Sequence, residues 1–248
     1  MNELFGYTRD VVKARYALRT PAGFVNGWQP GWRETVCVMQ ISDMMGARFS
    51  QLLVTLGETS EGRGTTGPLE YVIYVLAGAC RGELGGNRHD LAAGDYVYLP
   101  SEHDFRFSDS PPGTQLLIFQ KRFEPLAGCE KPGLIVGHAK DVPGQPFLGN
   151  EDARLQVLLP DKPEFDVAVN IFTYQPGATL PFVESHIMEH GLVMLTGQGI
   201  YRLDADWHPV QAGDVIWMAP YCPQWFVAMG KVPASYIYYK DVNRAPLL

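Results

Sequence analysis

The sequence predicts an all-β protein built from two tandem antiparallel barrels, and three observations lead to this fold class. The chain repeats itself once, its apolar runs are short and rich in β-branched and aromatic residues, and no window of helix length carries a clear apolar stripe. A weak stripe lies in TRDVVKARYAL, residues 8–18. The length of 248 residues allows one large β domain or two ordinary barrels, and the repeat favours two.

The repeat relates residues 70–100 to residues 189–220. Each copy carries a glycine, an Ala-Gly-Asp turn, a proline and a lysine in the same order, and the glycine, the turn and the lysine keep the same offset. These residues are Gly78, Gly94, Pro100 and Lys121 in the first copy, and Gly197, Gly213, Pro220 and Lys240 in the second. Chance rarely keeps glycines, turns and a lysine aligned over such a span, so we interpret the chain as a duplicated unit.

Strand signals divide the chain into two domains. Apolar runs such as YVIYVLAG, DYVYLP and SYIYYKD end at or near glycine, proline or a charged residue, which predicts short strands. We expect residues 1–127 to form the first barrel together with an N-terminal arm, and residues 153–248 to form the second. Residues 128–152 are dense in glycine and proline and are predicted to form a linker region.

Composition and charge exclude several function classes. The formal net charge of -7 and the pI near 5.3 disfavour a nucleic-acid binder, which would normally carry a basic face. No apolar run reaches the length of a membrane span or a signal-peptide core, so we expect a cytoplasmic protein with no membrane partner. The four cysteines form no C-x-x-C pair and are expected to be reduced core residues.

The segment GATLPFVESHIMEHGLVMLTG, residues 177–197, resembles the first motif of the cupin superfamily. In that motif a glycine precedes a His-x-His pair, an acidic ligand and a closing glycine. Here Glu184 stands in the place of the first histidine and His190 in the place of the acidic residue. The segment GDVIWMAPYCPQ resembles the second motif, with Gln224 near the fourth ligand position. The resemblance implies a bicupin, with two tandem double-stranded β-helix (jelly-roll) barrels.

Four residues of the second copy form a coherent ligand set for one divalent metal ion. Glu184 and His186 are two residues apart, so on a strand both side chains point to one face. With His190 and Gln224 they supply one carboxylate, two imidazoles and one amide oxygen. Such a mixed shell suits Mn(II) or Fe(II) more than a structural zinc site, which favours thiolates.

The first copy lacks this ligand set. The positions that match Glu184, His186 and His190 fall near Thr65, Gly67 and Tyr71, and none of these is a good metal ligand. We therefore expect the first barrel to be a scaffold or an assembly surface.

Lys240 lies in the aromatic run SYIYYKD. In strict alternation Tyr236, Tyr238 and Lys240 share one face of the strand. On the luminal face they would approach the metal and suit an anionic, hydrogen-bonding substrate, whereas at a strand end Lys240 would reach into water. For Tyr201, the sequence likewise allows two roles, packing in the core or lining the pocket.

Several segments together resemble the (S)-ureidoglycine aminohydrolases of purine catabolism. The resemblance rests on ESHIMEHG, LTGQGIYRLD, PYCPQ and YYKDVNR, and GYTRDVVKARYAL and GPLEYVIYVLAG extend it over nearly the whole chain. It implies that one Mn2+ ion, in a site that also accepts other divalent ions, is held by four ligands. These ligands are Glu184, His186, His190 and Gln224. The reaction that it implies is release of ammonia from allantoin-derived (S)-ureidoglycine, which gives (S)-ureidoglycolate.

The same resemblance implies the residues that meet a small anionic ureide substrate. They are Glu184, Gln224, Tyr201, Tyr236 and Lys240, with Glu184 and Lys240 catalytic. Chemically, Glu184 suits proton transfer from water to departing ammonia. One departure from the family is visible in YCPQWFVAMG, which is bulkier through Trp225 and Phe226 and would change the size of the pocket.

Two other functions fit parts of this pattern. Two histidines and a carboxylate also make the facial triad of Fe(II)-dependent oxygenases, although Gln224 would occupy one further metal position. A non-catalytic ligand-binding cupin would hold its ligand unchanged. We also expect a homo-oligomer, because strand-rich bicupins have sheet edges that need covering.

Overall fold

The short apolar runs become strands in both halves of the chain. The structure is a computed structural model that describes residues 7–244. Its first ten strands are β1 (Val11–Val12), β2 (Tyr16–Arg19), β3 (Trp32–Ile41), β4 (Phe49–Thr65), β5 (Leu69–Ala77), β6 (Ala79–Leu84), β7 (Asn87–Ala92), β8 (Asp95–Leu99), β9 (Asp104–Ser108) and β10 (Thr114–Arg122). The others are β11 (Ile135–His138), β12 (Gln145–Phe147), β13 (Asn150–Val157), β14 (Val167–Tyr174), β15 (His190–Thr196), β16 (Gln198–Leu203), β17 (Asp206–Gln211), β18 (Val215–Met218), β19 (Gln224–Met229) and β20 (Ala234–Asp241). Short 3-10 turns lie at Pro21–Gly23, Asp43–Met45 and Ala139–Asp141.

The strands form curled antiparallel sheets, one set in each half. The first barrel has the order β11, β8, β5, β10, β4, β9, β6, β7, with β3 paired to β4. The second barrel combines the order β1, β2, β18, β15, β20, β14, β13, β12 with a three-stranded sheet β17, β16, β19. The prediction of an all-β bicupin is confirmed. Among the described residues, no helix has the length and apolar character needed to cross a membrane.

Two repeated glycines explain why both copies turn in the same way. Gly78 and Gly197 have φ values of 76° and 71°, a left-handed conformation that glycine adopts without steric cost. A Cβ atom at Gly197 would also lie 2.6 Å from the carbonyl oxygen of Pro233. Glycine at these positions therefore lets each first hairpin fold back closely on the neighbouring strand.

Three apolar clusters fill the molecule. The cluster inside the first barrel includes Leu52 and Ile118, and the cluster inside the second includes Tyr236. The third cluster lies between the barrels and draws on both halves. There the rings of Phe119 and Tyr239 stack with centroids 6.0 Å apart. The barrels thus share a buried apolar interface.

The segments outside the barrel strands connect the two halves more closely than the sequence suggested. The weak stripe at residues 8–18 contains β1 and β2, and β2 pairs with β18, so the arm assigned to the first barrel joins the sheet of the second. Within the region predicted as a linker, β11 pairs with β8 and β12 pairs with β13. The boundaries at 127 and 152 stay a prediction.

The two repeated lysines occupy different places, although their sequence offset matches. Lys121 lies opposite Glu70 across β10 and β5, whereas Lys240 lies opposite His190 across β20 and β15. Glu70 matches Glu189 in the repeat, but Lys240 lies opposite His190, the residue after Glu189. The two lysines therefore differ by one residue in cross-strand register. Side chains alternate between the faces of a strand, so Lys121 turns to the interface between barrels and Lys240 to the interior of the second barrel. The equivalence expected from the sequence is wrong for this pair.

Candidate active site

A cavity of about 280 Å³ opens inside the second barrel. Its walls are largely apolar, with residues such as Phe172, Leu192 and Met218. All seven residues that the sequence predicts for the site line this one cavity: Glu184, His186, His190, Tyr201, Gln224, Tyr236 and Lys240. An apolar cavity with a few convergent polar groups is the usual form of a small-molecule site.

The two histidines meet at their Nε2 atoms. His190 begins β15, and His186 lies in the loop before it, so the side chains converge from neighbouring parts of one segment. Their Nε2 atoms are 3.2 Å apart. The terminal amide of Gln224, at the start of β19, lies 3.0 Å from Nε2 of His186 through its nitrogen, and turning the amide places its oxygen, the metal-binding atom, at the same position. Neighbouring ligands of an octahedral ion with bonds of about 2.1 Å lie about 3 Å apart, so this spacing fits one shared metal ion.

Backbone carbonyls fix the tautomers of both imidazoles. Nδ1 of His186 lies 3.2 Å from the carbonyl oxygen of Met188, and Nδ1 of His190 lies 3.2 Å from that of Tyr239. A carbonyl can only accept, so each Nδ1 carries the proton and each Nε2 keeps its lone pair. Hydrogen bonds from the second ring nitrogen to a carbonyl orient metal-binding histidines in this way. Two facing lone pairs repel each other unless a cation lies between them, which again fits a metal ion.

Burial keeps the two imidazoles neutral. Desolvation, the neighbouring His186 ring and the Lys240 charge lower the pKa of His190 to about 3. Burial and Lys240 likewise lower the pKa of His186. Burial raises the pKa of the Glu184 carboxyl, and the Lys240 ammonium opposes that rise. Lys240 therefore acts electrostatically on all three groups.

Glu184 and Gln224 are held by each other's backbone. The amide of each donates to the carbonyl of the other at 2.9 Å, which makes an isolated β-bridge. Among residues 7–244, no group of three His, Cys, Asp or Glu side chains is arranged to hold a metal ion. The candidate site differs from such a group because one of its members, Gln224, is an amide. The structure thus brings together the two imidazoles and the amide, and it places Glu184 in the wall of the same cavity.

Three tyrosines, Tyr201, Tyr236 and Tyr238, line the cavity together with Lys240. Tyr236, Tyr238 and Lys240 alternate along β20 and all line the cavity. Tyr236 is buried, and its hydroxyl lies 3.2 Å from that of Tyr174. Burial raises the pKa values of Tyr236 and Tyr201 well above the ordinary value of 10.0, so both phenols stay protonated and able to donate hydrogen bonds.

The first barrel reaches across to the residues beside the site. Nε of Arg48 donates to Glu189 at 3.2 Å, and its Nη2 donates to Asp241 at 2.6 Å. Asp241 also accepts from the backbone amide of Glu189 at 2.6 Å. Glu189 precedes His190 and Asp241 follows Lys240, so this ionic cluster fixes the backbone behind both site residues. Nothing in the sequence alone pairs Arg48 with them.

The aromatic departure at residues 225–226 lies outside the cavity wall. Nε1 of Trp225 donates to the carbonyl of Leu180 at 2.8 Å, and the ring packs edge-on against Trp207. Phe226 is fully buried beside Tyr201. Neither residue lines the cavity, so the expected change in pocket size does not occur through direct contact.

Sequence and structure comparisons identify similar proteins. A cupin domain model matches residues 170–239. The probable (S)-ureidoglycine aminohydrolase of Oryza sativa subsp. japonica is 40% identical over 256 residues, which cover 100% of this chain and 80% of that protein. The (S)-ureidoglycine aminohydrolase of Arabidopsis thaliana is 38% identical, covering 100% of this chain and 82% of that protein. The crystal structure of protein Ylba from E. coli superposes with a TM-score of 0.86 at 31% identity, covering 97% of each chain.

Proposed function

Because the chain belongs to the (S)-ureidoglycine aminohydrolase family, we propose that its second barrel hydrolyses (S)-ureidoglycine to (S)-ureidoglycolate and ammonia. In this reaction a water oxygen bonds to Cα, the bond from Cα to the amine breaks, and one water proton leaves with ammonia. The convergence of His186, His190 and Gln224 in one cavity is the observation that supports this function most directly.

Glu184, His186, His190 and Gln224 would hold one divalent ion, for which we propose Mn2+. The donor set of nitrogen and oxygen atoms without thiolate suits Mn(II). When bound, such an ion polarises a substrate oxygen and lowers the pKa of a water molecule.

The side chains of this chain supply the remaining steps. Glu184, whose pKa burial raises, is suited to accept a proton from water and to pass it to the departing amine. The Lys240 ammonium attracts the substrate carboxylate, and the protonated phenols of Tyr236 and Tyr201 orient it by donating hydrogen bonds.

Two further parts of the proposal concern the setting of the enzyme. A cytoplasmic location is supported by the four cysteines, none of which forms a disulfide. Assembly into a homo-oligomer stays a prediction, which light scattering would test.

The decisive experiment measures ammonia release from freshly generated (S)-ureidoglycine. Protein stripped of metal should be nearly inactive, and added Mn2+ should restore release of one ammonia per (S)-ureidoglycolate formed, with or without oxygen. Ammonia release at the uncatalysed rate would reject the function, and binding without turnover would favour a ligand-binding cupin. A requirement for oxygen would instead indicate an Fe(II)-dependent oxygenase.

A further inference from the structure

A buried polar pair lines the cavity beside His190, whose ring packs edge-on against that of Tyr238 with centroids 5.5 Å apart. Asn170 lies on β14 in the otherwise largely apolar run VAVNIFTY and is 4% exposed. Its Nδ2 donates to the hydroxyl of Tyr238 at 3.0 Å, and its Oδ1 has no hydrogen-bond partner within residues 7–244. Both side chains line the cavity. A buried acceptor without a partner inside a binding cavity indicates that a ligand supplies the missing donor.

The pair offers one acceptor and one donor side by side. Because Tyr238 accepts from Asn170, its own hydroxyl proton is free to point into the cavity, next to the free Oδ1 of Asn170. Turning the asparagine amide exchanges the two roles and still leaves one donor and one acceptor. A carbamoyl group, H2N–C=O, carries the complementary N–H and carbonyl on adjacent atoms. Neither a carboxylate nor a methyl group can pair with both the acceptor and the donor.

The first barrel carries two apolar side chains at the matching place. The cross-strand register differs by one residue between the two copies, as described for the lysines, so Tyr238 of β20 corresponds to Ile118 of β10. Leu52 is the partner of Ile118 across the sheet. Asn170 is likewise the partner of Tyr238. Leu52 and Ile118 belong to the apolar core of the first barrel. The fold therefore accepts two apolar side chains here, and the polar pair occurs in the barrel that holds the cavity.

We infer that Asn170 and Tyr238 form a subsite for the carbamoyl end of a linear ureide, and that Asn170 determines specificity for ureides over amides. Tyr238 and Lys240 share a face two residues apart, about 7 Å along the strand. A ureide with its carboxylate at Lys240 therefore places its carbamoyl group at Asn170. This inference rests on the proposed function for the kind of molecule bound.

The test compares two stable probes that differ in one group. Hydantoate (N-carbamoylglycine) and N-acetylglycine have the same carboxylate and amide, but the first ends in NH2 and the second in CH3. Their affinities for the Mn2+-loaded protein are measured by calorimetry. We expect hydantoate to bind about tenfold more tightly, since one hydrogen bond to a buried group separates them.

Two variants locate the source of that preference. Asn170→Leu introduces the side chain that the first barrel carries at this position, and Tyr238→Phe keeps the ring but removes the hydroxyl. Asn170→Leu should reduce the ratio of the two affinities to about one, while N-acetylglycine binding changes less than about threefold. If the leucine variant does not fold, the phenylalanine variant should itself reduce the preference at least threefold.

Three outcomes would overturn the inference. They are equal affinities in the unaltered protein, a tenfold preference that survives in the variants, and no binding of either probe. The test measures binding and therefore does not depend on turnover. If the unaltered protein releases no ammonia, the proposed function is rejected. The carbamoyl subsite is still supported if Asn170→Leu removes the preference for hydantoate over N-acetylglycine.

Discussion

Replacing Lys121 with methionine should destabilise the molecule while leaving its active site intact. The ammonium of Lys121 donates to the carboxylate of Asp166, which comes from the second half of the chain, and to the carbonyl oxygen of Arg122 at 2.9 Å. Lys121 is 7% exposed and Asp166 is fully buried. Lys121 does not line the active-site cavity.

The size of the effect follows from the charge left behind. Removing one partner of a buried ion pair costs about 3–5 kcal/mol, because the other charge stays buried without compensation. Asp166 keeps the hydrogen bond from the backbone amide of Glu124 at 2.8 Å and lies beside the protonated carboxyl of Glu70, which favours the lower end of that range. With a urea dependence of about 3 kcal/mol/M, a loss of about 3 kcal/mol lowers the unfolding midpoint by about 1 M.

Urea unfolding followed by tryptophan fluorescence measures this shift, and ammonia release without urea measures the site. A second variant, Lys121→Met with Asp166→Leu, should regain most of the lost stability, since an apolar pair of similar volume replaces a buried ion pair at little cost. An unchanged midpoint in the single variant would refute the reasoning. So would a double variant less stable than the single one.

Three other perturbations test separate parts of the structure. Lys240→Met should keep the unfolding midpoint and the metal content but lower the ammonia-release rate about tenfold to a hundredfold, and a normal rate would place this ammonium outside the pocket. His186→Ala and His190→Ala should each abolish the Mn2+ content measured by elemental analysis and keep the β-sheet circular dichroism spectrum. The control variant His103→Ala should keep the metal. Full metal occupancy in both site variants would reject the ligand set. Burial and a neighbouring carboxylate raise the pKa of Glu70 from 4.5 to about 9, so the folded state holds a proton that the unfolded chain releases between these values. The free energy of unfolding should therefore fall as pH rises through that window, and the fall should be much smaller in Glu70→Gln; equal pH dependence in both proteins would contradict the assignment.

The overall fold was predictable because its signals are local. Gly78 and Gly197 adopt the left-handed turns that a repeated glycine suggests, and the runs between them alternate as strands. Part of the site was accessible in the same way. The motif contains the two histidines, and simple alternation places Tyr236 and Lys240 on one strand face.

The remaining features depend on tertiary structure. A one-residue displacement sends Lys121 and Lys240 to opposite faces, although the two lysines keep the sequence offset of the repeated glycines. Arg48 meets Glu189 only because the barrels pack together. Asn170 left one visible signal, a lone amide in an apolar strand, but its partner and its free oxygen appear only in three dimensions.

The pairing of β2 with β18 has a consequence for synthesis in the cell. Tyr16 pairs with Met218, so β2 is synthesised long before the strand with which it pairs. About 200 residues separate them, which at about 5–20 residues per second means a delay of about 10–40 s. During that interval Tyr16 and Leu18, both buried in the finished protein, remain uncovered on a nascent chain. The first barrel can fold meanwhile, but β2 would be a target for chaperones and a site of premature aggregation until β18 pairs with it.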